Sequence, residues 1–367
     1  MNKWTLFVAV NVAAGILFLG LVGVFGVKVE NEFLHVQRIE TQNGLFKGRF
    51  EVESLPGQKV EANDGLNILA FGDMMLGRHV RTLMDKNGKD YIFEKLGQLG
   101  ELEKADVVFA NLEGPIKGEG FKRQEGMVFG FHEDTAPFLK ENGISLVSIA
   151  NNHAVDQGWD GRATTMTALK DAGVGFCGHP SEADPASVYY GEDDGKSFAF
   201  VCFQSVNFPL DMDRAVELIK EVGEKVDYLI VSIHWGVEYS HKANKKMQVE
   251  PAHEFVDAGV DLVIGHHPHV VQNFEIYKGK FIFYSLGNFV FDQYWSMDTQ
   301  EELGILVSFD GDGTSVKLIP MKSEKSQPRL MTSEEKKEWM ERFIKYGDYE
   351  EELLSEIRAG IISINEN

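Results

Sequence analysis

Basic residues are scarce in this sequence of 367 residues, because 36 Lys and Arg stand against 57 Asp and Glu and give a formal net charge of -21 at pH 7. Proteins that bind nucleic acids present a basic surface to the phosphate backbone. The charge balance therefore argues against a nucleic-acid partner, although it is compatible with a basic pocket inside an acidic surface. The hydrophobic share of 43% is ordinary for a globular protein, and the length allows one large domain or two modest ones.

Cysteine is almost absent, since Cys177 and Cys202 are the 2 cysteines of the chain. Two cysteines are too few for a scaffold that depends on disulfides. Each lies in an apolar run typical of a strand, which favours two small hydrophobic side chains buried as free thiols. A single bridge between them is the alternative if the domain lies outside the cytoplasm.

Charged residues are missing from residues 4–27, a run rich in Val, Leu, Phe, Ala and Gly. At about 1.5 Å per residue, a helix of this length would cross the roughly 30 Å hydrocarbon core of a bilayer. The run lacks a clean cleavage site, so we predict a transmembrane anchor over residues 1–27, with a cleaved signal peptide as the alternative. Lys3 favours a cytoplasmic N-terminus, and therefore a single-pass protein of the cytoplasmic membrane with its domain on the extracytoplasmic side.

Strand and helix patterns alternate from Leu66 onward and predict an α/β domain. We expect a juxtamembrane connector at 28–65, the main domain at 66–321 and an acidic helical tail at 322–367. Strands are predicted at 66–72, 106–111, 145–150, 174–177, 197–203, 227–234, 261–265 and 281–285. Helices are predicted near 92–104, 134–142, 160–172, 211–224 and 248–258.

Polar side chains follow five of these strands at the point where each strand ends. They are Asp73, Glu113, Asn152 with His153, His234, and His267 with His269. Ligands of open α/β sheets bind at the carboxyl ends of the strands, so these side chains are expected to share one site. Carboxylate, amide and imidazole donors without thiolate suit a divalent metal such as Mn, Zn, Fe or Mg. So many candidate donors suit two ions better than one.

Several sequence blocks together resemble the CapA family, the branch of the calcineurin-like metallophosphoesterases that acts in poly-γ-glutamate capsule synthesis. The blocks are residues 72–78, 111–115, 150–153, 234–236, 265–269 and 284–289. The resemblance covers about residues 67–291. It implies a four-layer α/β/β/α sandwich of the metallophosphoesterase type. It also implies a membrane-attached role in making or exporting an anionic polymer, with the polymer or its precursor and other capsule-synthesis membrane proteins as partners.

The resemblance also implies roles for individual residues. The metal-ligand positions fall on Asp73, Glu113, Asn152, His234, His267 and His269. His153 takes the position of the catalytic acid, and Asp156 either orients His153 or caps the following helix. Arg78 is expected to contact an anion, because its guanidinium fork suits phosphate or carboxylate. His266 is expected to support the site rather than to bind metal.

Met75 departs from the pattern of general metallophosphoesterases, which carry an imidazole at this position, and Glu113 stands where those enzymes carry Asp. The sequence therefore supports two hypotheses of different classes. The first is a metal-dependent hydrolase of capsule biosynthesis that uses one or two ions. The second is a non-catalytic assembly or polymer-binding factor with a degenerate metal site. A general metallophosphodiesterase is a further alternative.

Overall fold

The computed structural model describes residues 65–117, 127–311 and 313–365, together with five short strands between Val24 and Glu53. The chain divides into two units, Met1–Asn63 and Asp64–Asn367. The strands of the first unit are Val24–Val29 (β1), Glu32–Gln37 (β2), Thr41–Gln42 (β3), Leu45–Phe46 (β4) and Glu51–Glu53 (β5). β2 pairs antiparallel with β1 and β5, and β3 pairs antiparallel with β4.

The membrane anchor predicted at residues 1–27 lies almost entirely outside the described residues. Of that segment, only residues 24–27 are described, and they belong to β1. Within the part of the chain that the structure describes, no helix has the length and apolar character needed to span a bilayer.

The second unit contains fifteen strands and seven α-helices among its described residues. The strands are Leu66–Met74 (β6), Val107–Leu112 (β7), Leu146–Ser148 (β8), Gly175–Cys177 (β9), Val188–Asp193 (β10), Lys196–Gln204 (β11), Tyr228–His234 (β12), Leu262–His266 (β13), Phe274–Tyr277 (β14), Lys280–Phe283 (β15), Asn288–Val290 (β16), Glu301–Asp310 (β17), Gly313–Glu324 (β18), Gln327–Leu330 (β19) and Ile361–Asn365 (β20). The helices are Arg78–Asn87 (α1), Thr135–Glu141 (α2), Gly158–Ala172 (α3), Met212–Gly223 (α4), Glu250–Asp257 (α5), Ser333–Phe343 (α6) and Glu351–Ala359 (α7).

These strands form two mixed sheets. The larger sheet has the order β19-β18-β17-β6-β7-β8-β9, with β16 paired to β6 and β20 paired to β18. The smaller sheet has the order β10-β11-β12-β13-β15-β14. Strands β6 to β9 are parallel to one another, and so are β11, β12, β13 and β15. The central strands of each sheet are therefore parallel, as expected where strands alternate with helices, and hairpins add antiparallel strands at the edges.

Three apolar layers separate four layers of secondary structure. The central layer lies between the two sheets, where the ring of Phe109 on β7 stacks on that of Phe200 on β11 at 4.8 Å. A second layer joins the larger sheet to α1, α2 and α3 and includes Phe71 stacked on Phe289 at 4.1 Å. A third joins the smaller sheet to α4 and α5. The prediction of an α/β fold is confirmed, and its layers follow the order α/β/β/α.

The helical tail packs against the central layer at one edge. Trp339 and Phe343 of α6 and Ile357 of α7 are buried there with residues of both sheets. Helix α6 begins with a capping box, in which the Thr332 side chain accepts from the N–H of Glu335 and the Glu335 carboxylate accepts from the N–H of Thr332. The chain then adds β20 to the larger sheet, a strand that the sequence did not reveal.

The helix predicted at 92–104 is wrong. The structure has three short 3-10 segments there, Lys89–Phe93, Leu96–Gln98 and Gly100–Glu103. Gly97 and Gly100 interrupt the segment, and glycine in a helix interior costs about 1 kcal/mol relative to alanine. A regular helix instead occupies Arg78–Asn87, directly after the first strand block.

Cys177 and Cys202 form a disulfide, with their Cα atoms 5.5 Å apart. The expectation of two free buried thiols was therefore wrong, and the alternative of a single bridge is what the structure contains. Cys177 ends β9 of the larger sheet and Cys202 lies in β11 of the smaller sheet. Both side chains are buried in the central layer, so the bridge joins the two sheets covalently.

We predict that replacing both cysteines by serine lowers the free energy of unfolding by about 2–4 kcal/mol, because the bridge restricts the unfolded chain. Urea unfolding followed by circular dichroism measures the difference. Added reductant should lower the midpoint of the wild-type protein to that of the double variant and leave the variant unchanged. Equal midpoints for the two proteins without reductant would contradict the prediction.

Candidate metal centre

The carboxyl ends of the central strands of both sheets meet along one rim, and all of the predicted donors lie there. Their positions follow directly from the strand ends. Asp73 is the second-last residue of β6, Glu113 follows β7, Asn152 and His153 follow β8, His234 ends β12, and His267 and His269 follow β13. The larger sheet therefore supplies the carboxylates and amide, and the smaller sheet supplies most of the imidazoles.

The backbone after β13 turns at the histidines themselves. His267 has a φ of 96° and His269 a φ of 57°, both in the left-handed region that non-glycine residues seldom adopt. Gly265, which precedes these residues in β13, has a packing role. A Cβ at Gly265 would lie 1.9 Å from the carbonyl oxygen of Tyr284. Glycine is therefore needed for the close approach of the neighbouring strand.

Asp73 is completely buried and well supplied with donors. Its Oδ1 accepts from Nδ2 of Asn111 at 2.8 Å, and its Oδ2 accepts from the backbone N–H of His267 at 3.0 Å. Burial by itself would raise the pKa of Asp73, but its interactions with His266 and the nearby imidazoles of His234 and His269 outweigh burial and lower it. Asp73 is thus held as a carboxylate between the two sheets.

Glu113 is equally buried but has no such support. Its Oε1 lies 3.8 Å from Nε2 of His153 and 3.8 Å from Nε2 of His269. Nε2 of His234 is 4.0 Å away. These distances exceed those of hydrogen bonds, and neither oxygen has a partner among the described residues. Burial, reinforced by the charge of Asp73, raises the pKa of Glu113 well above its ordinary value of 4.5.

The imidazoles of His234, His267 and His269 are held neutral, as metal binding requires. Burial lowers the pKa of His234 well below its ordinary value and lowers that of His267 to about 4. Burial also lowers the pKa of His269. Nδ1 of His269 donates to Oδ1 of Asn288 at 2.9 Å in the tautomer that leaves Nε2 as a lone-pair donor facing Glu113.

Asn152 and His234 contact each other directly, with 2.7 Å between Oδ1 of Asn152 and Nε2 of His234. On the opposite side of the imidazole, Nδ1 of His234 lies 3.2 Å from Nδ2 of Asn111. The amide and imidazole that the sequence assigns to the metal therefore lie side by side, and Asn111 links them to Asp73.

His153 is oriented from two sides. Its Nδ1 lies 2.7 Å from Oδ2 of Asp156, and its ring stacks on that of Phe129 with the centroids 3.9 Å apart. Asp156 also accepts from the N–H of Phe129 at 2.6 Å. The residue before helix α3 is Gln157, and no side-chain cap is present there. Of the two roles considered for Asp156, orienting His153 is the one that its contacts support.

Arg78 begins helix α1 beside this cluster and pairs with Asp292. Its guanidinium carbon lies 4.7 Å from the centroid of the Phe129 ring and 5.8 Å from that of Phe291. The cation is therefore fixed between aromatic faces and a carboxylate at the rim, where it could meet an anion.

Met75 and His266 both lie beneath the rim. Met75 is fully buried, and its sulfur accepts from the N–H of Gly77 at 3.1 Å. Nδ1 of His266 lies 3.5 Å from Oδ1 of Asp73, and its ring is 6.0 Å from that of Phe109 in the central layer. His266 thus contacts the carboxylate from the core side, consistent with a supporting role.

Three residues of the site were not identified as functional from the sequence. Asn111 and Asn288 lie inside quoted sequence blocks, but an amide that orients another side chain leaves no periodic signal. Glu238 follows His234 by four positions, and one of its carboxylate oxygens lies within 4.8 Å of ring nitrogens of His267 and His269. The sequence feature that could have identified Glu238 is its position in the loop after β12, the strand that ends at the predicted ligand His234.

The aromatic side chains near the rim divide into two groups. Trp235 is fully buried and donates to the carbonyl oxygen of Tyr284 at 2.9 Å, so it belongs to the core. Tyr239 and Trp295 are 44% and 66% exposed and contact each other edge to face at 6.1 Å. The ring of Tyr239 also lies 6.2 Å from that of His269, so this exposed pair borders the site.

The donor set fits a divalent ion. Asp73, Glu113 and His269 are buried and offer ligand atoms within 4.8 Å of one another. The two carboxylates and several imidazoles match the preferences of borderline and hard divalent metals. The unpartnered carboxylate of Glu113 adds an independent reason, since a buried carboxylate without hydrogen bonds is costly.

The fold and rim define an α/β domain with a candidate metal centre between two sheets. Residues 67–293 match the family of the bacterial capsule synthesis protein PGA_cap. The capsule biosynthesis protein CapA of Bacillus anthracis is 31% identical over 304 residues, which cover 77% of this chain and 73% of that protein. The chain belongs to the PGA_cap family, and the resemblance to CapA proteins is confirmed.

Two further comparisons give the range of similarity. The PGA biosynthesis protein CapA of Bacillus subtilis (strain 168) is 30% identical over 258 residues, 66% of this chain and 67% of that protein. A solved structure of a phosphatase from Mycoplasma pneumoniae aligns with a TM-score of 0.42 at 17% identity, covering 72% of this chain and 90% of that one.

We predict that Mn²⁺ stabilises the wild-type protein and that Glu113→Gln weakens the effect. A ligand that binds the folded state at 100 times its Kd adds about 2.7 kcal/mol to the free energy of unfolding. In EDTA, the Glu113→Gln variant should be at least as stable as the wild type, because an amide costs less free energy to bury than a carboxylate. Thermal unfolding with EDTA and with Mn²⁺ measures both effects.

Glu224→Gln is the matched control, since Glu224 is an exposed residue at the end of α4. It should respond to Mn²⁺ as the wild type does. A full Mn²⁺ response in Glu113→Gln would show that the ion binds elsewhere.

Proposed function

We propose that this chain is a metal-dependent hydrolase that acts in the synthesis or export of an anionic capsule polymer of the poly-γ-glutamate type. The type of polymer is inferred from the names of two Bacillus relatives, a capsule biosynthesis protein and a PGA biosynthesis protein. The observation that carries the hydrolytic part is the buried, unpartnered carboxylate of Glu113 among three imidazoles. Mn, Zn, Fe and Mg all remain candidate ions.

The ligands in this proposal are the six side chains assigned from the sequence. They are Asp73, Glu113, Asn152, His234, His267 and His269. A bound divalent ion would polarise a phosphoryl or acyl oxygen of the substrate. The chain's own part is to bring these donors together from two sheets, to keep the imidazoles neutral and to exclude water from the base of the site.

His153 is the proposed general acid. The Asp156 carboxylate accepts a hydrogen bond from Nδ1 of His153 and so holds the ring with Nε2 facing the centre of the rim, 3.8 Å from Oε1 of Glu113. The ring of Phe129 holds the imidazole plane in place. The proton of Nε2 would then go to the leaving group of the bond that is cleaved.

Charge explains how an acidic protein could hold an acidic polymer. The formal net charge of -21 repels a polyanion over most of the surface. At the rim, the guanidinium of Arg78 lies between Phe129 and Asp292, beside the candidate metal ligands. We propose that this cation and the bound metal together position the polymer or its precursor.

A second candidate function is a non-catalytic assembly factor that holds polymer or contacts other capsule-synthesis membrane proteins. The fully buried thioether of Met75 favours it, because sulfur of this type does not replace an imidazole at a hard-ion site. A general metallophosphodiesterase uses the same donors on a different substrate. The bond that the purified protein cleaves distinguishes the three.

We predict that His153→Ala reduces hydrolysis by about 10²–10⁴-fold while the Mn²⁺ content of the protein stays unchanged, because the general acid is lost but the ligands are retained. The probes are bis(p-nitrophenyl) phosphate and γ-glutamyl p-nitroanilide, assayed with Mn²⁺ and with EDTA. His253→Ala is the control, since His253 contacts Glu275 away from the rim.

Each outcome selects one function. Cleavage of the γ-glutamyl amide supports the capsule hydrolase, and cleavage of the phosphodiester alone supports the general phosphodiesterase. A metal-loaded protein that cleaves neither probe, combined with normal capsule formation by cells carrying His153→Ala, supports the assembly factor.

We also propose a single-pass protein of the cytoplasmic membrane with its domain on the extracytoplasmic side. The uncharged run at residues 4–27 supports the anchor. The bridge between Cys177 and Cys202 supports the location, because disulfides persist in oxidising compartments and are rare in the cytosol.

We predict that the full chain fractionates with membranes and is digested by protease added outside spheroplasts. A variant lacking residues 1–27 should remain inside the cell and be protected. A control in which a cleavable signal peptide replaces residues 1–27 should be exported without an anchor. Protection of the full chain from external protease would contradict the proposed orientation.

A further inference from the structure

Residues 239–249, between β12 and α5, form a basic segment on a strongly acidic chain. The segment contains three lysines and one histidine and no aspartate or glutamate, whereas the formal net charge of the whole chain is -21. Its lysines are Lys242, Lys245 and Lys246, and all three are exposed. Exposed lysines are common on protein surfaces and usually have no role beyond solvation. The position and the rigidity of the basic segment distinguish it from such a surface.

The basic segment starts at the rim and runs away from it. The N–H of Tyr239 donates to the carbonyl oxygen of Pro268, between the two predicted histidine ligands, at 2.8 Å. Further on, the N–H of Ala243 donates to Oδ1 of Asn273 at 3.1 Å. A chain extends by at most about 3.6 Å per residue, so Asn273 lies within about 18 Å of Pro268. Lys242 precedes Ala243, and a short stretch of polymer would therefore reach from the rim to this lysine.

Two buried glutamines hold the backbone of the basic segment in place. Nε2 of Gln272 donates to the carbonyl oxygen of Ser240 at 2.8 Å, and Oε1 of Gln248 accepts from the N–H of Asn244 at 2.9 Å. The two amides also contact each other, with Nε2 of Gln248 donating to Oε1 of Gln272 at 2.7 Å. Oδ1 of Asn244 accepts from the N–H of Lys246 at 3.0 Å. The lysines therefore extend from a fixed backbone, and their positions relative to the rim are set by the fold.

Nearby carboxylates do not neutralise the three lysines. Among the described residues, none of the three pairs with an aspartate or a glutamate. Asp298 lies beside the segment but faces His241, with 3.6 Å between its Oδ2 and Nε2 of the ring. The carboxylate of Glu238 lies next to the histidines of the rim instead. The basic segment therefore keeps a local positive potential on a chain that otherwise repels anions.

Tyr239 forms the junction between the rim and the lysines. Its φ of 62° lies in the left-handed region, which non-glycine residues occupy mainly where the surrounding structure imposes it. Its ring lies 6.2 Å from that of His269 and 6.1 Å from that of Trp295. The two exposed rings offer apolar surface to the methylene groups of a polymer chain that passes from the rim to the lysines.

We propose that Lys242, Lys245 and Lys246 form a binding site for the polymer outside the rim, where their ammonium groups pair with successive carboxylates of a polycarboxylate chain. The inference rests on the proposed function, because it takes a polymer of the poly-γ-glutamate type from it. A lysine ammonium is a point charge on a flexible stem, and so it can follow carboxylates that are not rigidly spaced. Arg78 and the lysines then hold one chain at two places, which favours a long polymer over a short fragment.

The test is the affinity of the full chain for fluorescently labelled poly-γ-glutamate, measured by anisotropy. The variant carries Lys242→Gln, Lys245→Gln and Lys246→Gln together. It should bind the polymer about tenfold more weakly than wild type, as the sum of three modest exposed contacts. The difference should disappear at high salt, which screens exposed charges. Titrations in EDTA prevent cleavage, and a second set in Mn²⁺ uses wild-type and variant chains that also carry His153→Ala.

A matched control removes the same number of charges elsewhere. Lys140, Lys170 and Lys220 are exposed in the last turns of α2, α3 and α4. These helices connect parallel strands, so they run back from the rim and end at the opposite edge of the sheets. A chain with these three lysines changed to glutamine should bind the polymer as the wild type does.

A short substrate provides a second control. The variant of the basic segment should cleave γ-glutamyl p-nitroanilide at the wild-type rate, because this probe is too short to reach from the rim to the lysines. Thermal unfolding should be the same for the two proteins, since the three lysines are exposed and the glutamines that hold the backbone are unchanged.

The outcomes separate this inference from the proposed function. Weaker polymer binding in the variant of the basic segment, with unchanged binding in the control, supports it. Equal binding by wild type and that variant overturns it, and so does an equal loss in both variants, because net charge alone would then decide. Loss of binding to vesicles of anionic lipid with the polymer affinity unchanged also overturns it.

The proposed function is tested separately by cleavage of the γ-glutamyl probe. A wild-type chain that cleaves this probe while its lysine variant binds the polymer normally overturns the inference and leaves the hydrolase standing. A wild-type chain that binds no poly-γ-glutamate, in EDTA or in Mn²⁺, overturns both the inference and the polymer assigned in the proposed function.

Discussion

The burial of two carboxylates in one small region is the constraint on which the site depends. Asp73 is stabilised by the amide of Asn111 and the backbone of His267, so its charge is accommodated by the fold. Glu113 has no equivalent donor, and bringing an ionised carboxylate out of water costs several kcal/mol. Its neighbours His234 and His269 lie 4.0 Å and 3.8 Å from Oε1, too far for a hydrogen bond. A shared cation would turn this unfavourable arrangement into a favourable one.

The two sheets must therefore stay in register with each other. Asp73 and Glu113 come from the larger sheet, whereas the paired histidines come from the smaller one, and binding sites tolerate only about 0.5 Å of displacement. The central apolar layer holds the sheets together through contacts such as the stacked rings of Phe109 and Phe200. The bridge between Cys177 and Cys202 crosses the same layer. Packing that looks purely structural thus determines the geometry of the rim.

Local patterns explain what could be predicted from the sequence. The main strands and the polar residues that follow them are local features, so the predicted donors all lie at one rim. Helix α1 was not predicted, because the segment Arg78–Asn87 is mostly polar. The prediction of a helix at 92–104 was wrong because it followed the regular spacing of Leu residues and gave too little weight to Gly97 and Gly100, which interrupt the segment. The disulfide and the contact of Asn288 with His269 depend on how distant strands pack, which no local pattern encodes.

Met75 is the residue on which the interpretation of the centre depends. Its sulfur accepts from the N–H of Gly77, the residue that precedes α1, and so contributes to the turn from which Arg78 extends. The position therefore gives up a metal donor but helps to fix a guanidinium at the same rim. If the acidic protein holds a polyanion, as proposed, a fixed cation adds positive potential where the polymer would approach. The missing imidazole thus changes how charge is distributed at the rim, and in the proposed hydrolase the cleavage step would depend on the proton of His153.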